Sequence, residues 1–224
     1  MDANAIIAEW QRRLVALAHN PPYVFVDTSA ELIERYRRRI TTFVGYPEPD
    51  IAAAEARLGG RFPELFRTYL RQMGKSPGEL FRGSDLTKPT EFEQARVDAL
   101  ELMAETDPSP SLPTGAAVFF WHQGYTFAYL LAVGGFDGPV VPWRAEKNSL
   151  EQVSPTFAAL VDSELELMEH NNRTGIEQGG YYLTLFPDGG AARSYPALAK
   201  GERPLDRRAA SGPPNGKNGT GEDV

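Results

Sequence analysis

Apolar residues recur at spacings of three and four from the start of the chain. Ile6, Ile7, Trp10, Leu14 and Leu17 form one stripe over residues 3 to 19, the period of an amphipathic helix, and Pro21 and Pro22 end it. A second helix is predicted from a hydroxyl cap at Thr28 or Ser29 to about Ile40. Farther on, Asp50 is the expected cap of a helix over Ile51 to Leu58, which Gly59 and Gly60 stop. Pro63 then opens another helix with Leu65, Phe66, Tyr69, Leu70 and Met73 on one face, closed by Gly74. TEFEQARVDALELMAET reads as a further helix, with Phe92, Ala95, Ala99, Leu102 and Met103 inward and Glu91, Glu93, Asp98, Glu101 and Glu105 outward. The proline-rich DPSPSLPTG breaks it.

The period then changes. AAVFFW (116–121), YTFAYLLAV (125–133) and PVVPW (139–143) are β-rich runs separated by the glycine-containing turns HQG and GGFDG, so they read as an antiparallel meander. The first two runs are apolar on both faces, which requires helices over at least one side of the sheet. SPTFAALVDSELELMEH gives a last helix, with Ser154 as cap, Pro155 in the first turn, and Phe157, Leu160, Val161, Leu165 and Met168 inward. GGYYLTLF, followed by a PDGG turn, suggests one late strand at the edge of the sheet. The fold class is therefore α+β, a central antiparallel meander packed with helices. Its expected organisation is a helical extension over residues 1–45, an α+β domain over 46–196 and a tail over 197–224. The tail holds one leucine and no aromatic residue after Ala199, too little apolar surface to offset the entropy of ordering it.

Charge narrows the function classes. The 224-residue chain carries a net charge of -7. An acidic protein lacks the basic face that phosphate neutralisation demands, so direct nucleic-acid binding is not expected. The basic cluster Arg35, Arg37, Arg38 and Arg39 follows Glu31 and Glu34 at intrahelical pairing distance, which reads as a solvated, salt-bridged face rather than an anion site. The two short helices around Gly59 and Gly60 resemble a DNA-reading pair in outline, but the second exposes Glu64 and Gln72 beside its arginines, and packing is the reading adopted. There are no cysteines, which removes disulfides, thiolate metal sites and thiol nucleophiles. The start is not a signal peptide and no apolar run is long enough to span a bilayer, so a cytoplasmic protein with no membrane role is expected.

The search for chemistry turns on FFWHQGYTF. His122 between Trp121 and Tyr125 suggests an acid–base group, yet it falls at a hairpin corner where Gly124 supplies the turn and the imidazole is expected to bond nearby backbone. His122, Gln123 and Gly124 are read as a structural hairpin. His19, His122 and His170 lie on three different elements without metal-ligand spacing, and no glycine-rich phosphate loop or nucleophile elbow follows a strand. Neither a catalytic residue, a metal nor a cofactor is assigned.

The order of these elements resembles the SUKH superfamily, which includes fungal cell-wall assembly regulators and bacterial immunity proteins of polymorphic toxin systems. The residues that carry the resemblance are Ile51, Glu55 and Leu58-Gly59, then Phe62-Pro63, Leu65, Tyr69-Leu70 and Gly74. Val140 to Trp143 and Ser154 to Phe157 complete it, over about residues 47 to 170. A bacterial branch places a His-Gln-Gly-Tyr hairpin between its first two strands, as His122 to Tyr125 do here. The helices before residue 45 and the late strand are additions to the minimal domain. The resemblance implies a binding protein rather than an enzyme, with a cognate protein toxin as partner. The alternative is a regulatory or scaffolding module for an endogenous protein, with the N-terminal helices as its docking arm.

A basic toxin, a nuclease or another, would be steered by an acidic surface and anchored by aromatic side chains. No lysine or arginine stands between Lys147 and Arg173, a span that holds Glu151, Asp162, Glu164, Glu166 and Glu169. Those five acids, with Tyr125, Phe136 and Trp143 near the edges of the meander, are the candidate partner-binding residues. Ordinary core packing is the competing reading for each aromatic.

Overall fold

The computed structural model describes residues 2–107, 109–144, 149–150 (backbone only), 156–187 and 191–194. The opening stripe forms α1 (Ala3–His19), whose N-terminus is capped by the Asp2 carboxylate accepting from the Asn4 N–H at 3.2 Å. Ile7, Trp10 and Leu14 are buried along it. Pro21 and Pro22 lead into a strand the periodicity did not reveal, β1 (Tyr23–Phe25), and Ser29 then caps α2 (Ala30–Thr41) as expected.

The next helix, α3 (Glu48–Leu58), begins earlier than its sequence signal. Pro47 takes the cap position and Pro49 fits the first turn without needing an N–H, so Asp50 lies inside the helix and caps nothing. Gly59 ends it in the left-handed conformation at φ 74°. Pro63 precedes α4 (Glu64–Met73), whose inward face carries Leu65, Phe66, Tyr69, Leu70 and Met73 as predicted. Glu55 holds the connection together. Its buried carboxylate accepts from the Phe62 N–H at 2.9 Å and from Arg67 Nε at 3.2 Å, which satisfies a charge that would otherwise be costly to bury.

A two-residue strand, β2 (Asp85–Leu86), and one 3-10 turn precede α5 (Phe92–Ala104). The meander follows as β3 (Ala116–His122), β4 (Thr126–Leu131) and β5 (Val140–Arg144), and β6 (Ser149–Leu150) extends it. The sheet order is β2-β3-β4-β5-β6, antiparallel throughout. A register shift between Val118 and Phe120 inserts one extra residue into β3, so Phe119 and Phe120 both reach the larger cluster instead of alternating across the sheet. On that side Ala117, Phe119, Ala128 and Leu130 pack under α1, α3, α4 and α6 (Phe157–Glu177). On the other side Val118, Phe127, Tyr129 and Trp143 pack with Ala95, Ala99 and Met103 of α5. Helices thus cover both faces.

The α6 helix is capped by Thr156, whose hydroxyl accepts from the Ala159 N–H at 3.1 Å, and it runs past the expected His170. The predicted Ser154 cap and Pro155 lie outside the described residues, as does the tail.

The late strand differs from its expected place at the edge of the meander. β7 (Tyr181–Leu185) is the centre of a separate sheet, β1-β7-β8, parallel to β1 and antiparallel to β8 (Ala191–Ser194). Leu183 and Leu185 face Tyr36 and Ile40 of α2 and close a small second core, with Tyr23 and Phe25 of β1 packed against it.

Candidate partner-binding surface

The hairpin between β3 and β4 is closed by its backbone geometry. His122 pairs with Thr126 across the strands, leaving Gln123, Gly124 and Tyr125 as a three-residue loop. Gln123 and Gly124 are both left-handed, at φ 53° and 76°, and nothing stands within reach of a Cβ placed on Gly124. The imidazole does not bond neighbouring backbone as expected. Its Nδ1 lies 3.0 Å from the Ser84 hydroxyl, which links the hairpin to the chain entering β2. Tyr125 projects from the tip, 42% exposed, and its hydroxyl donates to the Gln123 side-chain oxygen.

Phe136 belongs to a different end of the sheet, in the loop from β4 to β5. The intervening six residues of β4 put it roughly 20 Å from the Tyr125 hairpin at the usual strand rise. The loop is tied down through its backbone. The carbonyls of Gly135 and Phe136 accept from the first N–H groups of α4, those of Glu64 and Leu65, at 2.9 Å each. The Asp137 carboxylate accepts from the Phe157 and Ala158 N–H groups at the start of α6, at 3.1 and 3.2 Å. Val133 and Phe136 point outward from this frame, 70% and 42% exposed.

Trp143 is interior. It is 1% exposed, stacked on Phe127 with ring centroids 5.4 Å apart, and no partner reaches it in the folded protein. Its removal from the candidate surface follows from strand parity, because Trp143 pairs with Phe127 and shares its α5-covered face.

The acidic run on α6 is also not one open face. Arg13 of α1 reaches across to it, with Nε 2.7 Å from Glu169 and a second nitrogen 3.3 Å from Asp162. Nε and a third nitrogen, 2.9 Å from the other oxygen, bind Glu169 bidentately and hold its carboxyl below the usual carboxylate range. Asp162 also accepts from the Trp10 indole N–H at 2.9 Å, so it locks α1 onto α6. Glu164 is half-buried, and desolvation pushes its carboxyl up. Glu166 is exposed, and Glu151 lies outside the described residues.

The helix α5 behaves differently. Among the described residues none of Asp98, Glu101 and Glu105 is in an ion pair, and all three face solvent beside the exposed Val97. Arg96, the one cation of that helix, turns inward to the Leu112 carbonyl at 3.0 Å. The outward placement of the three acids is the one that the helical spacing predicts. The signal was present in the sequence, since Arg96 is the only lysine or arginine from Pro89 to Gly115.

No group of three or more potential metal-ligating His, Asp or Glu side chains converges among the described residues, and no helix there is long and apolar enough to cross a membrane. What the arrangement offers chemically is a frame with exposed side chains at its two sheet ends and along α5. The sequence model of the SMI1 / KNR4 family (SUKH-1) matches residues 46–163, just over half of the chain, and the protein belongs to that family. No curated protein matches the chain. The matched segment runs from the approach to α3 into the first turns of α6, so it contains the five-stranded sheet and leaves out α1, β1, α2, β7 and β8.

Proposed function

We propose that the protein is an immunity protein that binds a cognate bacterial toxin in the cytoplasm and neutralises it by contact rather than by catalysis. The observation that carries this reading is membership of the SMI1 / KNR4 family together with the exposure of side chains on rigidly held loops. Tyr125 and Phe136 are its aromatic contacts, Glu166 is the acid of the α6 run that stays open, and α5 adds Asp98, Glu101 and Glu105. Unpaired carboxylates of this kind speed encounter with a basic partner such as a nuclease.

The test is co-expression with a toxin domain encoded beside the gene. Protection of the cell and a stable complex on affinity capture are the expected results. A folded, soluble protein that neither protects nor binds any neighbouring toxin would reject immunity. One observation favours a regulatory module for an endogenous partner instead: the outward residues Val24 and Tyr182 of the small sheet lie outside the family-matched segment. Under that reading, binding persists without any toxin gene nearby and is lost with changes at Val24 and Tyr182.

A further inference from the structure

A cleft of about 530 Å³ opens where the end of α1, β1 and α2 meet, within the size range of small-molecule sites. Its floor is apolar. Pro21, Tyr23 and Phe25 line it, and the two half-buried rings meet edge to face with centroids 5.3 Å apart. The Tyr23 hydroxyl is already engaged with that of Tyr36 at 3.2 Å, and burial pushes its ionisation well up, so the floor stays neutral.

The wall is cationic, in a chain of net charge -7. The Arg37 guanidinium lies 5.7 Å from the Phe25 ring centroid, and among the described residues no carboxylate pairs with it. A guanidinium over an aromatic ring, with no carboxylate on it, keeps N–H donors available for an oxyanion. Arg38 also lines the cleft, with His19 beside it. The single acid there, Glu34, reaches Arg38 at 3.6 Å with both side chains mostly exposed, an ion pair too loose to occupy the arginine. Arg37 does not form the intrahelical ion pair expected of this cluster.

We propose that this cleft binds a small organic anion, with a phosphate or carboxylate head on Arg37 and Arg38 and a flat apolar body against Tyr23 and Phe25. The site stands apart from the proposed toxin contacts and does not depend on them.

The experiment is calorimetric titration of the full chain with phenyl phosphate, benzoate, inorganic phosphate and benzylamine. An aromatic anion binds at least about tenfold more tightly than inorganic phosphate, and benzylamine does not bind. The tighter of phenyl phosphate and benzoate identifies the head group. Arg37→Gln weakens binding about tenfold or more, and Phe25→Leu brings the aromatic anion down to the level of inorganic phosphate. Arg12→Gln, on the exposed side of α1, changes nothing. Arg37 is exposed, so its variant keeps the fold, and amide shifts in the unaltered protein give a second readout, confined to residues 18–25 and 34–41. Failure of both aromatic anions to bind at millimolar concentration overturns the proposal. So do equal binding of inorganic phosphate, binding of benzylamine, indifference to Arg37→Gln, sensitivity to Arg12→Gln, or shifts centred elsewhere.

Discussion

The two sheets of this protein are finished to different degrees. The five-stranded sheet has helices on both faces and buries Phe66, Phe119, Phe127, Trp143 and Phe157. Among the described residues the three-stranded sheet is covered on one face only, by a core of four buried residues, Tyr36, Ile40, Leu183 and Leu185, with half-buried aromatic rings around them. Its other face leaves Val24 63% exposed. Charge divides along the same line, with open carboxylates on α5 over the large sheet and the arginines of α2 against the small one. The contrast teaches that burial, and hence stability, is concentrated in the large core, which α1 closes together with the family-matched helices, whereas β1, α2, β7 and β8 keep surface uncommitted.

The largest effect should come from Phe157→Ala. That ring makes edge contacts with Trp10, Phe66, Tyr69 and Phe119 at 5.1 to 6.0 Å, so truncation should cost about 3–5 kcal/mol in urea unfolding and loosen the whole protein. Tyr36→Ala sharpens the comparison. It should cost about 3 kcal/mol locally and speed amide exchange in β7 and β8, while β3 and β4 keep their protection. Equal loss of protection in both sheets would make them one cooperative unit and end the distinction. Asp137→Ala removes the carboxylate at the start of α6 and should cost about 1 kcal/mol at pH 7, read from the urea midpoint.

The smallest effect is at Arg13. Its contact depresses the Glu169 carboxyl, so the stabilisation is present above the ordinary value of 4.5 and disappears as pH falls below it. Glu169 is partly exposed and solvent screens the pair, so Arg13→Ala should lose only about 0.5–1 kcal/mol at pH 7, and less at pH 4. Glu164 has the opposite sign. Burial raises its carboxyl, so its contribution is fully present below 4.5 and is lost as pH rises through the raised value. Glu164→Gln should therefore flatten that part of the pH profile of unfolding.

The helices and the meander were legible because their signals are local. Ile7, Trp10 and Leu14 repeat with the helical period, and the runs around Phe119, Phe127 and Trp143 are dense in β-forming residues. What stayed hidden depends on distant residues. β1 is three residues long, too short for any period, and its partner Tyr181 is far along the chain. Arg13 meets Glu169 across a separation of 156 residues, so the sequence displays an acidic run without the cation that answers it. Trp143 looked like a surface anchor because position alone does not reveal which face of β5 a helix covers. The family resemblance spans the frame, whereas which of its side chains remain free depends on neighbours distant in the chain.

The loop from β4 to β5 separates what must stay constant from what is free to change. Its duties to α4 and α6 are discharged by the carbonyls of Gly135 and Phe136 and by Asp137, while Gly134 and Gly135 supply the left-handed backbone at φ 71° and 83°. The side chains of Val133 and Phe136 take no part in those bonds. Both can therefore be rewritten over successive generations without reopening the problem of how the protein folds.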